Sequence, residues 1–195
     1  MKKTVLMGFV LLVTIGVSLV FAQAPTLDKL NFVPRSEGGY DVRAVNRNIN
    51  GAVVIPATAD GRNGNQPVTM TAGNAFQNCP GITTVTILGN NMTLIAQSSF
   101  ENCTGLTSVT IPASVNQIST SAFRGCTSLT SVTFLGTANL ANSGNMFPGD
   151  LREKYNAGGA GTYTRQRGSD TWTKQGGDGI VCPHCGQLIP GAVWR

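Results

Sequence analysis

Acid–base groups are scarce in this chain of 195 residues. It holds one histidine, His184, and charged residues make up only 12% of it. Between Phe76 and Phe147 the only charged side chains are those of Glu101 and Arg124. General acid–base catalysis needs titratable side chains positioned beside the reacting group, and no Ser/His/Asp set, carboxylate pair or phosphate loop can be assembled here. The sequence therefore predicts that the protein is not an enzyme.

Clusters of lysine and arginine are also missing from this central block. Proteins that bind nucleic acids neutralise phosphates with such clusters. The formal net charge of the whole chain is +5, and two of those charges are Lys2 and Lys3 at the N-terminus. Nucleic acid is therefore excluded as an expected partner.

The longest hydrophobic run lies at the N-terminus. Lys2 and Lys3 precede a largely apolar stretch over residues 5–21, and Ala22 supplies a small residue at a suitable cleavage point. Residues 1–22 are therefore predicted to be a signal peptide, which implies export to the periplasm, the outer surface or the medium. No stable membrane span is expected after cleavage. An uncleaved membrane anchor is the alternative, because the run approaches the length of a transmembrane helix.

A repeat of 23–24 residues runs through the middle of the chain. Three segments carry nearly the same sequence: Gly81–Ile87, Gly105–Ile111 and Ser128–Phe134. A phenylalanine recurs with the same period, at Phe76, Phe100, Phe123 and Phe147. A fixed period of this size is typical of a solenoid, in which each coil buries its apolar side against its neighbours.

The central repeat shows how each coil is built. Leu106, Val109 and Ile111 are spaced as L-x-x-L-x-L, the strand signature of leucine-rich repeats. Val109 and Ile111 alternate with Ser108 and Thr110, so a strand here places the aliphatic side chains on one face and the hydroxyls on the other. The prediction is a leucine-rich-repeat solenoid with a parallel β-sheet on one face.

The segments outside the repeats are predicted to cap a short array of about four coils. An N-terminal β cap and a C-terminal helix and hairpin are expected. In detail, Tyr40–Val45 should pair across the open N-terminal edge, residues 58–66 should form an inserted polar loop, and residues 148–155 a short helix. Tyr163 and Trp172 should cover the C-terminal end. The predicted segments are a signal peptide (1–22), a cap with a first irregular repeat (23–75), the repeats (76–147), a C-terminal cap (148–174) and a tail (175–195).

Three segments resemble a known family, the BspA-like leucine-rich repeats of bacterial surface proteins. They are Leu106–Pro112, Ser121–Cys126 and Leu129–Thr133. The resemblance extends from about residue 40 to residue 174. It implies an exported protein that binds other proteins, often in adhesion to host tissue or to other bacteria.

In leucine-rich repeats the concave sheet is the usual partner surface. The resemblance therefore implies a protein partner at the outward positions of the three repeat strands, Thr84, Thr86, Ser108, Thr110, Ser131 and Thr133. The alternative is a solvated face without a partner, as in an envelope scaffold that has no outside ligand.

Three of the five cysteines recur with the repeat. They are Cys79, Cys103 and Cys126. Disulfides are common in exported proteins, but residues that recur in this way should stack inward, where free cysteine is at home. Buried thiols are favoured.

The remaining cysteines form the motif Cys182-Pro-His-Cys185. It has the form of half a zinc ribbon, and zinc usually takes four ligands. Zinc is therefore the one possible cofactor, with Cys182 and Cys185 as a half-site. A thiol-disulfide activity is a second hypothesis, and a local disulfide or an idle remnant in a tail is the third.

Overall fold

The computed structural model describes residues 27–61, 64–140, 145–176, 180–181 and 188–189. The predicted signal peptide and the pair Cys182 and Cys185 lie outside these ranges. Within them, a 3-10 helix (Leu27–Lys29) precedes fifteen strands and one α-helix. The strands before the second repeat are β1 (Leu30–Pro34), β2 (Tyr40–Ala44), β3 (Gly51–Ile55), β4 (Thr58–Gly61), β5 (Gly64–Thr71), β6 (Ile82–Ile87) and β7 (Leu94–Ile95). The later elements are β8 (Ser108–Ile111), β9 (Gln117–Ile118), β10 (Ser131–Phe134), β11 (Asn139–Leu140), α1 (Leu151–Gly158), β12 (Gly161–Thr164), β13 (Thr173–Lys174), β14 (Ile180–Val181) and β15 (Leu188–Ile189).

The repeats form a leucine-rich-repeat solenoid, as predicted. Sheet 1 has the order β13-β12-β10-β8-β6-β3 and contains the predicted strands, with β3, β6, β8 and β10 parallel. Sheet 2 has the order β1-β2-β5-β7-β9-β11, with β4 attached to β5, and was not predicted. Its repeat strands are only two residues long and each places one buried side chain inward, such as Ile95 or Ile118. A pattern of period two cannot be recognised in so short a segment.

Identical side chains stack in columns between the sheets. In sheet 1 the repeat aliphatics are buried, and Val85, Val109 and Val132 stand side by side in register. The rings of Phe76, Phe100, Phe123 and Phe147 form a nearly parallel stack with centroid separations of 4.9, 5.1 and 4.9 Å. These separations match the spacing of neighbouring strands. The phenylalanine column therefore advances by one strand spacing per coil, like the sheets.

The repeat cysteines are free, buried thiols, which confirms the favoured prediction. The Cys103 thiol donates to the Phe76 carbonyl at 3.1 Å, and the Cys126 thiol donates to the Phe100 carbonyl at 3.1 Å. Burial raises the pKa of the Cys103 thiol to about 12. These protonated thiols join one coil to the coil before it.

In the N-terminal cap, the pairing of β2 was predicted and the hairpin after β3 was not. Strand β2 pairs in parallel with β5 and antiparallel with β1 at the N-terminal end of sheet 2. The prediction of a polar loop over residues 58–66 is wrong, because β4 and the start of β5 form an antiparallel hairpin. Ala59 is the buried apolar residue on β4, so hydrophobic alternation could not reveal the strand.

The C-terminal cap has the predicted helix and hairpin. Helix α1 begins three residues later than expected, because Gly149 has a φ of +69°, outside the right-handed helical region. Strand β12 pairs antiparallel with β10 and so covers the edge of sheet 1. Tyr163 and Trp172 are buried, as predicted.

Candidate protein-interaction surface

The six predicted side chains stand in two columns on the outward side of sheet 1. Register places Thr84 beside Ser108 and Ser108 beside Ser131, while Thr86, Thr110 and Thr133 form the second column. Thr86 is exposed and the other five are half-buried. We call this surface, defined by Thr84, Thr86, Ser108, Thr110, Ser131 and Thr133, the hydroxyl face.

The C-terminal cap continues both columns. Thr164 stands beside Ser131, and Thr162 stands beside Thr133 with their hydroxyl oxygens 3.0 Å apart. The sequence predicted that Tyr163 covers the C-terminal end, but not that its neighbours Thr162 and Thr164 extend the hydroxyl columns. At the opposite end, Ala52 and Val54 on β3 stand beside Thr84 and Thr86, so the hydroxyl columns end at β6.

Two exposed leucines follow the second column and were not predicted from the sequence. Leu88 and Leu135 follow Thr86 and Thr133 by two residues, and are 45% and 59% exposed. Their amides donate to the carbonyls of Ile55 and Ile111, which continues the strand ladder by one bond. Between them lies the corresponding Pro112 of the central repeat, which is buried. The period of two does not identify these leucines, because it places the buried Pro112 on the same side.

None of the six described residues of the hydroxyl face is charged. The two charged residues of the repeats lie on turns instead. There the Arg124 guanidinium approaches the Glu101 carboxylate to 3.6 Å. A partner at the hydroxyl face would therefore meet hydroxyls that donate and accept hydrogen bonds, beside two exposed leucines.

The repeat cysteines are not set up to act as nucleophiles. The buried repeat thiols are held protonated, since burial raises the pKa of Cys103 to about 12 and that of Cys126 still further, and a nucleophilic cysteine requires the thiolate. In the described ranges, no three His, Cys, Asp or Glu side chains are grouped so as to hold a metal ion. Cys182 and Cys185 lie outside those ranges, so the zinc half-site stays a prediction.

No helix in the described residues is long and apolar enough to cross a membrane. The predicted signal peptide lies outside these residues.

Comparison with solved structures gives similar chains. The chain is 25% identical to the T. pallidum leucine rich repeat protein, with a TM-score of 0.51, and the alignment covers 64% of this chain and 53% of that one. The chain thus spans about half the length of that relative. A leucine rich cell surface protein from Faecalibacterium prausnitzii A2-165 is 24% identical with a TM-score of 0.48, over 57% of this chain and 30% of its own.

Comparison with curated protein sequences gave no match. A family profile does match: the BspA type leucine rich repeat region, in six copies over residues 65–147. This match confirms the family that the repeat residues predicted. Residues 65–147 are therefore a BspA-type leucine-rich-repeat region.

Proposed function

We propose that this protein is an exported, non-enzymatic module of a bacterial cell surface that binds a protein partner, in adhesion, through its hydroxyl face. Leucine-rich repeats are in general scaffolds for protein interaction, and BspA-like members are typically cell-surface proteins. The observation that carries the proposal is the in-register array of uncharged hydroxyls bordered by Leu88 and Leu135.

The properties of the hydroxyl face predict how the partner is bound. Because the face is uncharged, electrostatic steering is absent and association should depend little on salt. No aromatic side chain is among its six residues, so each contact should contribute little binding energy. Useful adhesion then depends on many copies displayed together, since linked weak sites reach a much higher avidity.

The test introduces charge onto the hydroxyl face. The double variant Thr86→Glu/Ser131→Glu places carboxylates two strands apart on this face, and Gln97→Glu/Gln117→Glu adds the same charge elsewhere. Gln97 and Gln117 are exposed, and Gln117 lies on sheet 2. Both variants and the parent protein are immobilised and exposed to host matrix and cell-surface extracts. We expect a partner that the parent and the control variant retain and the first variant loses.

Equal recovery by all three proteins would remove the hydroxyl face from the proposal. Circular dichroism and thermal unfolding must first show that both variants are folded. If no protein is recovered by any of the three, the envelope scaffold without an outside ligand becomes the better hypothesis.

Cell-surface location has a separate test. Protease treatment of intact cells should cleave a surface adhesin and spare a periplasmic scaffold. Detection uses an antibody against the repeats, with a known periplasmic protein as the control for cell integrity. Protection of the repeats on intact cells, together with cleavage after lysis, would contradict a surface location.

A chemical role for Cys182 and Cys185 is the competing hypothesis, supported by the Cys-Pro-His-Cys motif. Zinc content after dialysis and insulin-reduction activity are measured for the parent and for Cys182→Ser/Cys185→Ser. Stoichiometric zinc or activity in the parent that the variant loses would favour this hypothesis. Our proposal expects partner binding to be the same in both proteins.

A further inference from the structure

A cleft of about 330 Å³ opens beside the N-terminal end of the solenoid. One wall is the end of β2 and the turn after it, which contribute Arg43, Asn46 and Arg47. Asn31 on β1 and the turn that contains Asn74 form the rest of the rim, and the buried Cys79 lies at its floor. We call it the arginine cleft. It is built from different residues than the hydroxyl face and does not depend on the proposed function.

Among the described residues, no carboxylate pairs with the two arginines of this cleft. Elsewhere Arg35, Arg124 and Arg152 each form an ion pair with an aspartate or a glutamate. Within the described ranges neither Arg43 nor Arg47 forms one, and both side chains are exposed. Arg47 instead donates to the carbonyl of Gln77, which fixes it at the rim and leaves its positive charge uncompensated.

The rest of the lining adds hydrogen-bond donors and no negative charge. Asn31, Asn46 and Asn74 each bring a carboxamide, and among the described residues no aspartate or glutamate lines the cleft. The Asn46 oxygen accepts from the Asn48 amide, so its NH₂ group is the part left to donate outward.

The neighbouring carboxylate of Glu101 is already engaged. One of its oxygens accepts from Gln77 Nε2 at 2.8 Å, and the other lies 3.6 Å from Arg124. Glu101 therefore has its own partners and does not serve as the counter-ion of Arg43 or Arg47.

We propose that the arginine cleft binds an oxyanion group: a carboxylate, a sulfate or a phosphate. A guanidinium presents parallel N–H donors that match two oxygens of such a group. Two guanidiniums without a carboxylate partner and several carboxamide donors around one concave site thus suit an anion. Both arginines are solvent-exposed, so a free inorganic anion should bind weakly, and a larger ligand that carries the anion should bind more tightly.

The experiment follows arginine side-chain Nε–H signals by NMR in ¹⁵N-labelled protein. Sodium sulfate, phosphate and acetate are titrated separately, with sodium chloride keeping the ionic strength constant. We expect saturable shifts at Arg43 and Arg47 and no saturable shift at Arg167, an exposed arginine in the C-terminal cap. Shifts that do not saturate, or equal shifts at Arg167, would overturn the proposal.

Matched variants test the two guanidiniums directly. Arg43→Gln and Arg47→Gln should each weaken sulfate binding at least fivefold, while Arg167→Gln removes the same charge and should change it less than twofold. Arg43→Lys keeps the charge without the planar fork and should fall between these values. Equal weakening by Arg167→Gln would show a general charge effect and refute the site. Dispersed amide spectra verify that each variant is folded.

The source of the anion is distinguished by two further probes. A heparin-derived disaccharide presents sulfate groups, and a tetraglutamate peptide presents carboxylates. Tighter binding of either one than of inorganic sulfate, lost in Arg43→Gln, would support the site and identify the source. Binding of either probe that is unchanged in both Arg43→Gln and Arg47→Gln would count against it.

Discussion

The guanidinium carbon of Arg165 lies 5.1 Å from the centre of the Trp172 ring. Its nitrogens donate to four carbonyls, those of Leu129 (2.6 Å), Ser169 (2.6 Å), Thr127 (3.2 Å) and Cys126 (3.5 Å). One side chain thereby joins the last repeat to the C-terminal hairpin. Burial lowers the pKa of Arg165, and the nearby Asp170 opposes that shift.

Replacing Arg165 should loosen this cap. In Arg165→Lys the charge remains. The ammonium lacks the planar fork of the guanidinium and cannot reach these separated carbonyls. The carbonyls of Leu129 and Ser169 are part-buried, and each hydrogen bond to them contributes about 0.5–1.5 kcal/mol. Loss of both should lower the free energy of unfolding by about 1–3 kcal/mol. Urea unfolding followed by Trp fluorescence measures it. Arg167→Lys, at an exposed position of the same hairpin, is the control and should change stability by less than about 0.5 kcal/mol.

The phenylalanine column predicts a graded loss of stability. Phe100 stacks on Phe76 and on Phe123 and is fully buried, whereas the half-buried Phe32 has one edge-to-face contact, with Tyr40. Phe100→Ala should cost about 3–5 kcal/mol, because neighbouring coils cannot close the cavity without changing the rise. Phe32→Ala should cost clearly less. Equal losses in thermal or urea unfolding would contradict a special role for the column.

The buried thiols predict a loss of stability at alkaline pH. Burial raises the pKa of Cys103 from an ordinary value of 9.0 to about 12, so the native thiol stays protonated where the unfolded one ionises. This contribution to stability is complete below pH 9 and is lost as the pH rises from 9 to about 12.

Comparing the parent protein with Cys103→Ala isolates this effect from other groups that titrate at high pH. The free energy of unfolding is measured by urea at pH 8 and at pH 10.5. The parent should lose more stability between these values than the variant does. The same slope in both proteins would show that the thiol does not contribute.

The sequence predicted those parts of the fold in which one residue type recurs with the repeat. Val85, Val109 and Val132 occupy the same inward position in three repeats. One such position is weak evidence for a strand, but its recurrence made the prediction strong. The strand Leu94–Ile95 has only one buried side chain. The strand Thr58–Gly61 forms its hairpin with β5 through mostly polar residues, which show no hydrophobic alternation. Both depend on contacts with distant segments, which local pattern does not encode.

Of the two candidate surfaces, one could be predicted from the sequence and the other could not. The hydroxyl positions followed from alternation with the buried aliphatics. The arginine cleft did not, because Arg43 and Asn74 are far apart in the sequence and meet only after β2 joins sheet 2. A site assembled by topology from unrelated segments leaves no spacing to recognise.

Gly149 and Gly168 allow a test of backbone crowding in the C-terminal cap. Both have positive φ, +69° and +82°, so alanine at either position meets the same backbone preference, about 1–2 kcal/mol. A Cβ at Gly149 would lie only 2.2 Å from the Asp170 carbonyl oxygen, whereas nothing lies within 4 Å of one at Gly168. That carbonyl accepts from the Asp150 amide at 2.8 Å, so it cannot move without breaking the start of α1.

Gly149→Ala should therefore destabilise the protein by about 1 kcal/mol more than Gly168→Ala, since a lost backbone hydrogen bond adds to the shared backbone preference. Urea unfolding of both variants gives the difference. Hydrogen exchange adds a local readout: in Gly149→Ala the amides of α1 should exchange faster while those of β8 keep their protection. Equal unfolding free energies would mean that the Asp170 carbonyl yields freely, and that the contact between Gly149 and Asp170 does not hold the helix in place.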